Sequence, residues 1–211
     1  MHSRATRSLL LLFVGLTSAH VFASESTLPN KAEDVRPILI GNTVPAVFVS
    51  NIDGKQLSLK DHLKGKKTVL IFYRGGWCPF CNKQLSSVKE IASDIKAAGY
   101  QIVAISADQP AVLKKAASKQ PMDYELLSDS GGKVSQAFGL AFQVDTSTLI
   151  KFKAFGIDIE AASGNDLRIL PVPGVFLISK NGTIDFSYVN PDYKVRLKSS
   201  ILKAAVSAFA E

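Results

Sequence analysis

The chain is poor in the residues that build metal and haem sites: two cysteines, Cys78 and Cys81, three histidines and one tryptophan in 211 residues. A structural zinc takes four ligands. If the first residues are a cleaved leader, only His62 joins the two cysteines, so zinc is excluded. His62 lies in the polar stretch KDHLKGKK and reads as a surface side chain, which leaves no Cys–His catalytic pair. Haem attachment needs C-x-x-C-H, but Asn82 follows Cys81. Gly75-Gly76 belongs to no G-x-x-x-x-G-K-S/T phosphate loop. No cofactor or metal is expected. Long apolar runs are also missing. The stretch Leu9–Leu16 falls short of the ~20 residues that span a bilayer, and no later segment is longer, so the chain does not read as an integral membrane protein. There is no internal repeat, no low-complexity tract and no dense basic stripe, which argues against nucleic acid as a partner.

What is present begins with a leader. Arg4 and Arg7 precede Leu9–Leu16, and Val21-Phe22-Ala23 ends in a small residue, so 1–23 reads as a secretory signal peptide. The expected location is periplasmic or secreted. Cleavage removes two of the charges behind the formal net +7 and leaves +5, a modest basic bias. A polar, flexible lead is expected over 24–37, and 38–211 forms one domain large enough to bury a full core.

Within that domain, alternation at Val47, Val49, Leu57 and Leu59 around the turn residues Asn51–Gly54 predicts a β-hairpin. The apolar run 68–73, TVLIFY, reads as a buried strand. Leu85, Val88, Ile91, Ala92 and Ile95 follow with helical spacing up to Gly99. Further strands are expected at 101–106 and 124–127. Helices are expected at 110–119, opened by Pro110, and at 133–142. The stretch 145–170 has no clean period and reads as an insertion with some local helix. A strand pair around Lys180-Asn181-Gly182 and a helix over 192–209 close the chain. Strands alternating with helices imply an α/β fold, with a central mixed sheet flanked by helices on both faces and an N-terminal β-hairpin extension.

The chemistry concentrates in Trp77-Cys78-Pro79-Phe80-Cys81, where strand turns into helix. Two cysteines this close would close a tiny loop of little entropic value, so a structural disulfide is a poor account of them. A redox-active dithiol is the better one. Pro79 suits the first helical position and makes Cys78 the N-cap, so the helix N-terminus favours a thiolate there. Arg74 adds a positive charge upstream. A thiolate attacks a disulfide sulfur, giving a mixed disulfide, or a peroxide oxygen, giving a sulfenic acid. Both routes end in a Cys78–Cys81 disulfide. Pro173, in LPVPGVFLI, is either a loop proline at a strand start or a cis proline packed against the dithiol.

The segments IGNTVPAVFVSNIDGKQLSLKDHLKGKKTVLIFYRGGWCPFC, YELLSDSGGKVSQAFGL and LPVPGVFLISKNGTIDFSYVNPDYKVRL together resemble the peroxiredoxin-like (alkyl hydroperoxide reductase/thiol-specific antioxidant) branch of the thioredoxin-like superfamily over about residues 38–209. The resemblance implies a thioredoxin-like fold and two competing alignments. Counted from Tyr73, Arg74 falls on the family's proline, Cys78 on its threonine and Cys81 on its peroxidatic cysteine. In the thioredoxin pattern Cys78 attacks, Cys81 resolves and Pro173 is the cis proline, which here stands where peroxiredoxins place an arginine. Arg74 and Arg168 are the candidate replacements for that arginine. The implied activity is thiol-dependent reduction of hydroperoxides with a thioredoxin-like electron donor. The alternatives are thiol–disulfide exchange on protein disulfides and a non-catalytic binding module that works through 145–170. Site candidates are Cys78 and Cys81, supported by Trp77, Arg74 and Pro173.

Overall fold

A computed structural model describes residues 28–119 and 122–210; the leader expected over 1–23 lies outside them. Along the chain come β1 (Phe48–Asn51), β2 (Gln56–Ser58), α1 (Leu59–Leu63), β3 (Lys67–Tyr73), α2 (Pro79–Glu90), α3 (Ala92–Ala97), β4 (Tyr100–Ser106), α4 (Pro110–Ala117), β5 (Glu125–Ser128) and α5 (Lys133–Ala137). They are followed by β6 (Ala141–Gln143), α6 (Thr146–Ala154), α7 (Ile159–Ser163), β7 (Ile169–Pro171), β8 (Gly174–Ile178), β9 (Ile184–Val189) and α8 (Ser199–Ala208).

Seven strands form one mixed sheet in the order β2-β1-β5-β4-β3-β8-β9. β3, β4 and β5 run parallel, and the strands outside them pair antiparallel. β1 and β2 are thus the edge of the main sheet, with β1 also bonded to β5.

The pleat of β3 divides the core. Val69, Ile71 and Tyr73 face a cluster with Leu85 and Val88 of α2, Leu113 of α4 and Leu202 and Val206 of α8. Leu70 and Phe72 face the other side, with Leu59 and Leu63 of α1, Val134 of α5 and the rings of Phe138 and Phe176. Phe72, Phe138 and Phe176 pack with centroids 4.9–5.8 Å apart. Each such large apolar side chain contributes roughly 1.5–3 kcal/mol when removed from water.

The 145–170 region carries α6 and α7 between the two strands of a separate ribbon, β6–β7. Val144, Leu149, Ile159 and Leu170 form a third cluster there, packed with Trp77 and Phe152. The described part of the lead is fastened to the domain. Gln143 N–H donates to Pro29 O (2.8 Å) and Ile38 N–H to Phe138 O (3.0 Å). Gly139 takes φ 66° under Arg36, whose carbonyl oxygen lies 1.8 Å from where a Cβ would stand, so only glycine fits there.

Two helices are shorter than the sequence pattern predicts. The helix expected over 133–142 ends at Ala137, because Phe138 turns inward and Gly139 is left-handed. The one expected over 192–209 begins only at Ser199. Residues 190–198 are instead a bonded loop, in which Asp192 N–H donates to Asn190 Oδ1 (2.9 Å) and Lys194 N–H to Asp192 Oδ1 (3.0 Å). These Asx-type bonds compete with helix formation. Among the described residues no helix is long and apolar enough to cross a membrane.

Candidate active site

Parallel pairing of β3 and β4 sets Tyr73 opposite Ser106, so the chain leaving β3 runs beside the chain leaving β4. Ligands in α/β sheets gather at this carboxyl edge. Arg74 to Trp77 cross it, and α2 starts at Pro79 with Cys78 as its N-cap, as the proline position predicts. Gly75 makes the crossing possible. At φ 156°, a Cβ there would stand 2.3 Å from Trp77 Nε1 and 2.7 Å from Asp108 Oδ1.

Both cysteines are free thiols and buried, Cys78 at 1 % exposure and Cys81 at 0 %. They share a proton. The Cys81 thiol donates to Cys78 sulfur, which is the largest reason that Cys78 falls to about 6; the Cys81 N–H, Arg74 and Arg196 lower it further, against the cost of burial. Cys81 moves up for the same two reasons, the hydrogen bond it gives to Cys78 and its burial. The thiolate therefore belongs to Cys78, at the helix tip, with the helix N-terminus behind it.

Arg196 is the residue that sequence reasoning missed. Its Nη2 lies 3.2 Å from Cys81 Sγ and 3.9 Å from Cys78 Sγ. The rest of the guanidinium is held in place, Nη1 by Gln84 Oε1 (2.9 Å) and Nε by Tyr193 O (2.7 Å). Although Arg196 is nearer to Cys81, the proton stays there because Cys81 sits one turn inside the core and gives its hydrogen bond to Cys78. The signal for Arg196 in the sequence was faint: an arginine among lysines, just after Pro191-Asp192.

Arg74 is 5 % exposed and stacks on three aromatic rings, 4.2 Å from the centroid of Tyr193, 5.0 Å from Trp77 and 5.1 Å from Phe152. Its Nε has no hydrogen-bond partner. Burial draws its pKa down, while the nearby sulfurs favour its charge. Trp77, 5.7 Å from Phe152 between centroids, ties the dithiol loop to α6.

Asp108 is a second residue without notice in the sequence reading. It is 1 % exposed and is pushed up to about 6 by burial, against the Gly76 N–H (2.7 Å) and Ser106 hydroxyl (3.2 Å) that donate to its Oδ2. Its Oδ1 has no partner. Cys81 is among the groups that raise it.

Two expectations are corrected. The Val172–Pro173 bond is not cis: no cis peptide occurs among the described residues. Pro173 links β7 to β8, which belong to different sheets, and Val172 N–H pairs with Leu140 O (2.8 Å). The Pro173 carbonyl accepts from Asn190 N–H (3.5 Å), at the start of the loop that carries Arg196. Arg168 does not serve the dithiol. Its Nε bonds Glu160 Oε1 (2.7 Å) inside the insertion. His62, read as solvated, is paired with Glu125 (2.9 Å).

The family model described as "AhpC/TSA family" matches residues 40–187. A chloroplastic peroxiredoxin Q from Gentiana triflora is 30% identical over 150 residues, covering 71% of this chain; the chain spans 58% of that relative's length. The thiol-disulfide oxidoreductase ResA from Bacillus thuringiensis subsp. konkukian is 26% identical over 177 residues, 83% of this chain and 81% of that protein. Among solved structures, reduced Prx3 from Vibrio vulnificus in complex with H2O2 is similar in fold, with a TM-score of 0.66 at 20% identity, over 80% of this chain and 99% of that one.

Proposed function

Because the chain belongs to the AhpC/TSA family, we propose that it is a thiol-dependent peroxidase that reduces hydroperoxides through Cys78 and Cys81. One observation carries the proposal: a positioned guanidinium, Arg196 Nη2, beside both sulfurs of a dithiol whose thiolate sits on Cys78. The thiolate of Cys78 attacks one peroxide oxygen and the O–O bond breaks. The alkoxide that leaves takes a proton from solvent and departs as alcohol, and Cys78 is left as sulfenic acid. Cys81 sulfur then attacks Cys78 sulfur. The S–O bond breaks, the proton of Cys81 joins the departing hydroxyl, and water and the Cys78–Cys81 disulfide result. A dithiol donor of thioredoxin type returns two electrons by exchange through a mixed disulfide. Arg196 holds the thiolate, and its fork of donors suits the peroxide oxygens. Arg74, kept dry by its three rings, adds charge that favours the thiolate.

Exchange with protein disulfides is the second reading, favoured by the ResA relative, which aligns over most of both chains. Burial of both sulfurs favours a small oxidant over a folded protein. Reduced protein given hydrogen peroxide and, separately, an insulin disulfide decides between them. Hydrogen peroxide should be consumed far faster than by free cysteine. Cys81→Ser should trap sulfenic acid on Cys78, and Cys78→Ser should fall to background. Insulin reduction without peroxide consumption would sink the peroxidase reading. Sulfenic acid trapped on Cys81 in Cys78→Ser would reverse the roles.

We also propose that the protein is exported and works in the periplasm or outside the cell. The support is the leader pattern of Arg4, Arg7, Leu9–Leu16 and Ala23. The mature chain should begin at Ser24 on N-terminal sequencing; a chain that keeps Met1 refutes export by cleavage.

A further inference from the structure

Between the first turn of α2 and the start of α8 lies a cavity of about 510 Å³. Its lining includes Phe80, Lys83, Gln84, Lys194, Arg196 and Lys198. Three properties set it apart from an ordinary surface groove. First, it adjoins the reacting centre. Gln84 and Arg196 line it, and the same Arg196 reaches 3.2 Å from Cys81 Sγ and 3.9 Å from Cys78 Sγ. Second, its charge has one sign. Three lysines and one arginine line it with no aspartate or glutamate, and none of the three lysines joins an ion pair among the described residues. The one acidic residue of the loop, Asp192, accepts the backbone N–H of Lys194. The cavity also holds Ser199 and Ser200, whose N–H groups open the ten-residue α8 and have no intrahelical acceptor; the N-cap Lys198 offers no side-chain cap. Third, it has an apolar wall. Phe80 is 38% exposed although its ring also packs edge-on against Tyr193 at 5.6 Å.

The charge count places the unbalanced charge in the cavity. At the dithiol, Arg74 and Arg196 face a single thiolate and the buried carboxyl of Asp108, which carries a negative charge above about pH 6. The three cavity lysines have no such partner in an ion pair among the described residues. A neutral peroxide leaves them unused. A substrate with an anionic end and an apolar body uses them: the anion on the lysines and the α8 N–H groups, the body on Phe80 and the O–O group toward Arg196 and Cys78.

We propose that this cavity is the subsite for the anionic end of the substrate, and that the preferred oxidant is an organic hydroperoxide bearing a carboxylate. The proposal rests on the peroxidase reading above. The bond chemistry is unchanged: the O–O bond breaks on attack by Cys78 thiolate, and the product is the carboxylate-bearing alcohol.

The test compares cumene hydroperoxide with its para-carboxylate on the full mature protein. At low salt kcat/KM should favour the carboxylate about tenfold, the sum of a few partly exposed charge contacts. The preference should shrink toward one in half-molar salt, where the Debye length is only a few ångströms. It should also shrink in the triple variant Lys83→Ser/Lys194→Ser/Lys198→Ser. Because the readout is a ratio of two substrates, any general loss of activity in the variant cancels. A wild-type ratio near one, or a ratio indifferent to salt, overturns the proposal whether or not the variant folds. A second measurement needs no turnover: titration with the para-carboxylate of cumyl alcohol, followed through the amide shifts of Ser199 and Ser200. Saturable shifts that vanish at high salt support the subsite, and their absence overturns it. If neither hydroperoxide is consumed while the alcohol carboxylate binds, the peroxidase reading fails and the anion site stands.

Discussion

Two buried aspartates show how differently the two halves of this domain treat a polar group. Asp129, at the end of β5, accepts hydrogen bonds on both oxygens: Val134 N–H on Oδ1 (2.9 Å), and Ser135 N–H (2.7 Å) and Ser135 hydroxyl (2.6 Å) on Oδ2. It pins the start of α5 to the sheet, on the side where Phe72, Phe138 and Phe176 pack. Asp108, at the end of β4, is as deeply buried, yet only its Oδ2 is bonded and Oδ1 is left bare. Burial lifts both carboxyls above the usual range. Asp108 lies against Gly75 and Gly76 of the dithiol loop, which begins at Arg74, the other residue with an unbonded buried atom among the described residues. One region satisfies its polar atoms and serves the fold. The other leaves buried polar atoms unbonded, at a cost in stability, where the candidate chemistry is.

Removing each aspartate should therefore act in opposite directions. Asp129→Ala strands two backbone N–H groups and a hydroxyl in the core, which should destabilise the protein by about 4 kcal/mol at neutral pH, at roughly 1–3 kcal/mol for each stranded group less what water recovers. Asp108→Asn keeps an acceptor for Gly76 and removes a charge. The Asp108 carboxyl moves from 3.8 to about 6 on folding. The folded protein then holds the proton more tightly than the unfolded chain. Its stability on this account is full below pH 3.8, falls as pH rises to about 6, and is level above that. Two units correspond to about 3 kcal/mol. Urea unfolding of wild type and Asp108→Asn from pH 4 to pH 8 should show the variant gaining about that much on wild type. Parallel curves would mean that burial does not lift the Asp108 carboxyl and that its unbonded oxygen costs nothing, and the contrast between the two would be lost.

The fold was legible because its signals are local. The apolar run of β3, the proline that opens α2 and the Asn181-Gly182 turn each act over a few residues. Cys78 as N-cap followed from Pro79 alone. The site was legible only in its contiguous part. Arg196 meets Cys81 across 115 positions of sequence, from a segment whose apolar spacing reads as helix but whose Asn190 and Asp192 side chains bond the backbone instead. Asp108 carried one usable clue, a carboxylate two residues past the end of a buried parallel strand, at the edge where such sheets place their sites. The cis bond expected before Pro173 failed because the thioredoxin pattern was carried over to a proline that here joins the β6–β7 ribbon to the main sheet.

The smallest effect tests whether the region with unbonded polar atoms is tuned for chemistry or merely poorly bonded. Arg196 is one of several causes that lower Cys78, behind the hydrogen bond from Cys81 and the charge of Arg74. Losing it should raise Cys78 above its value of about 6. Arg196→Ala should therefore cut the thiolate fraction most near pH 6, where Cys78 is half ionised in the wild type, and least at pH 8. Thiolate absorbance reads the titration directly, and the peroxide rate should follow the same curve. A deficit that persists at pH 8 with a normal titration isolates the second role of Arg196, holding the peroxide oxygen, and Arg196→Lys, which keeps charge but loses the fork, should retain the titration and show that same deficit. If Arg196→Ala leaves both the Cys78 titration and the rate unchanged, the guanidinium contacts at 3.2 and 3.9 Å are packing. The two regions would then differ in hydrogen-bond satisfaction without any consequence for the sulfurs.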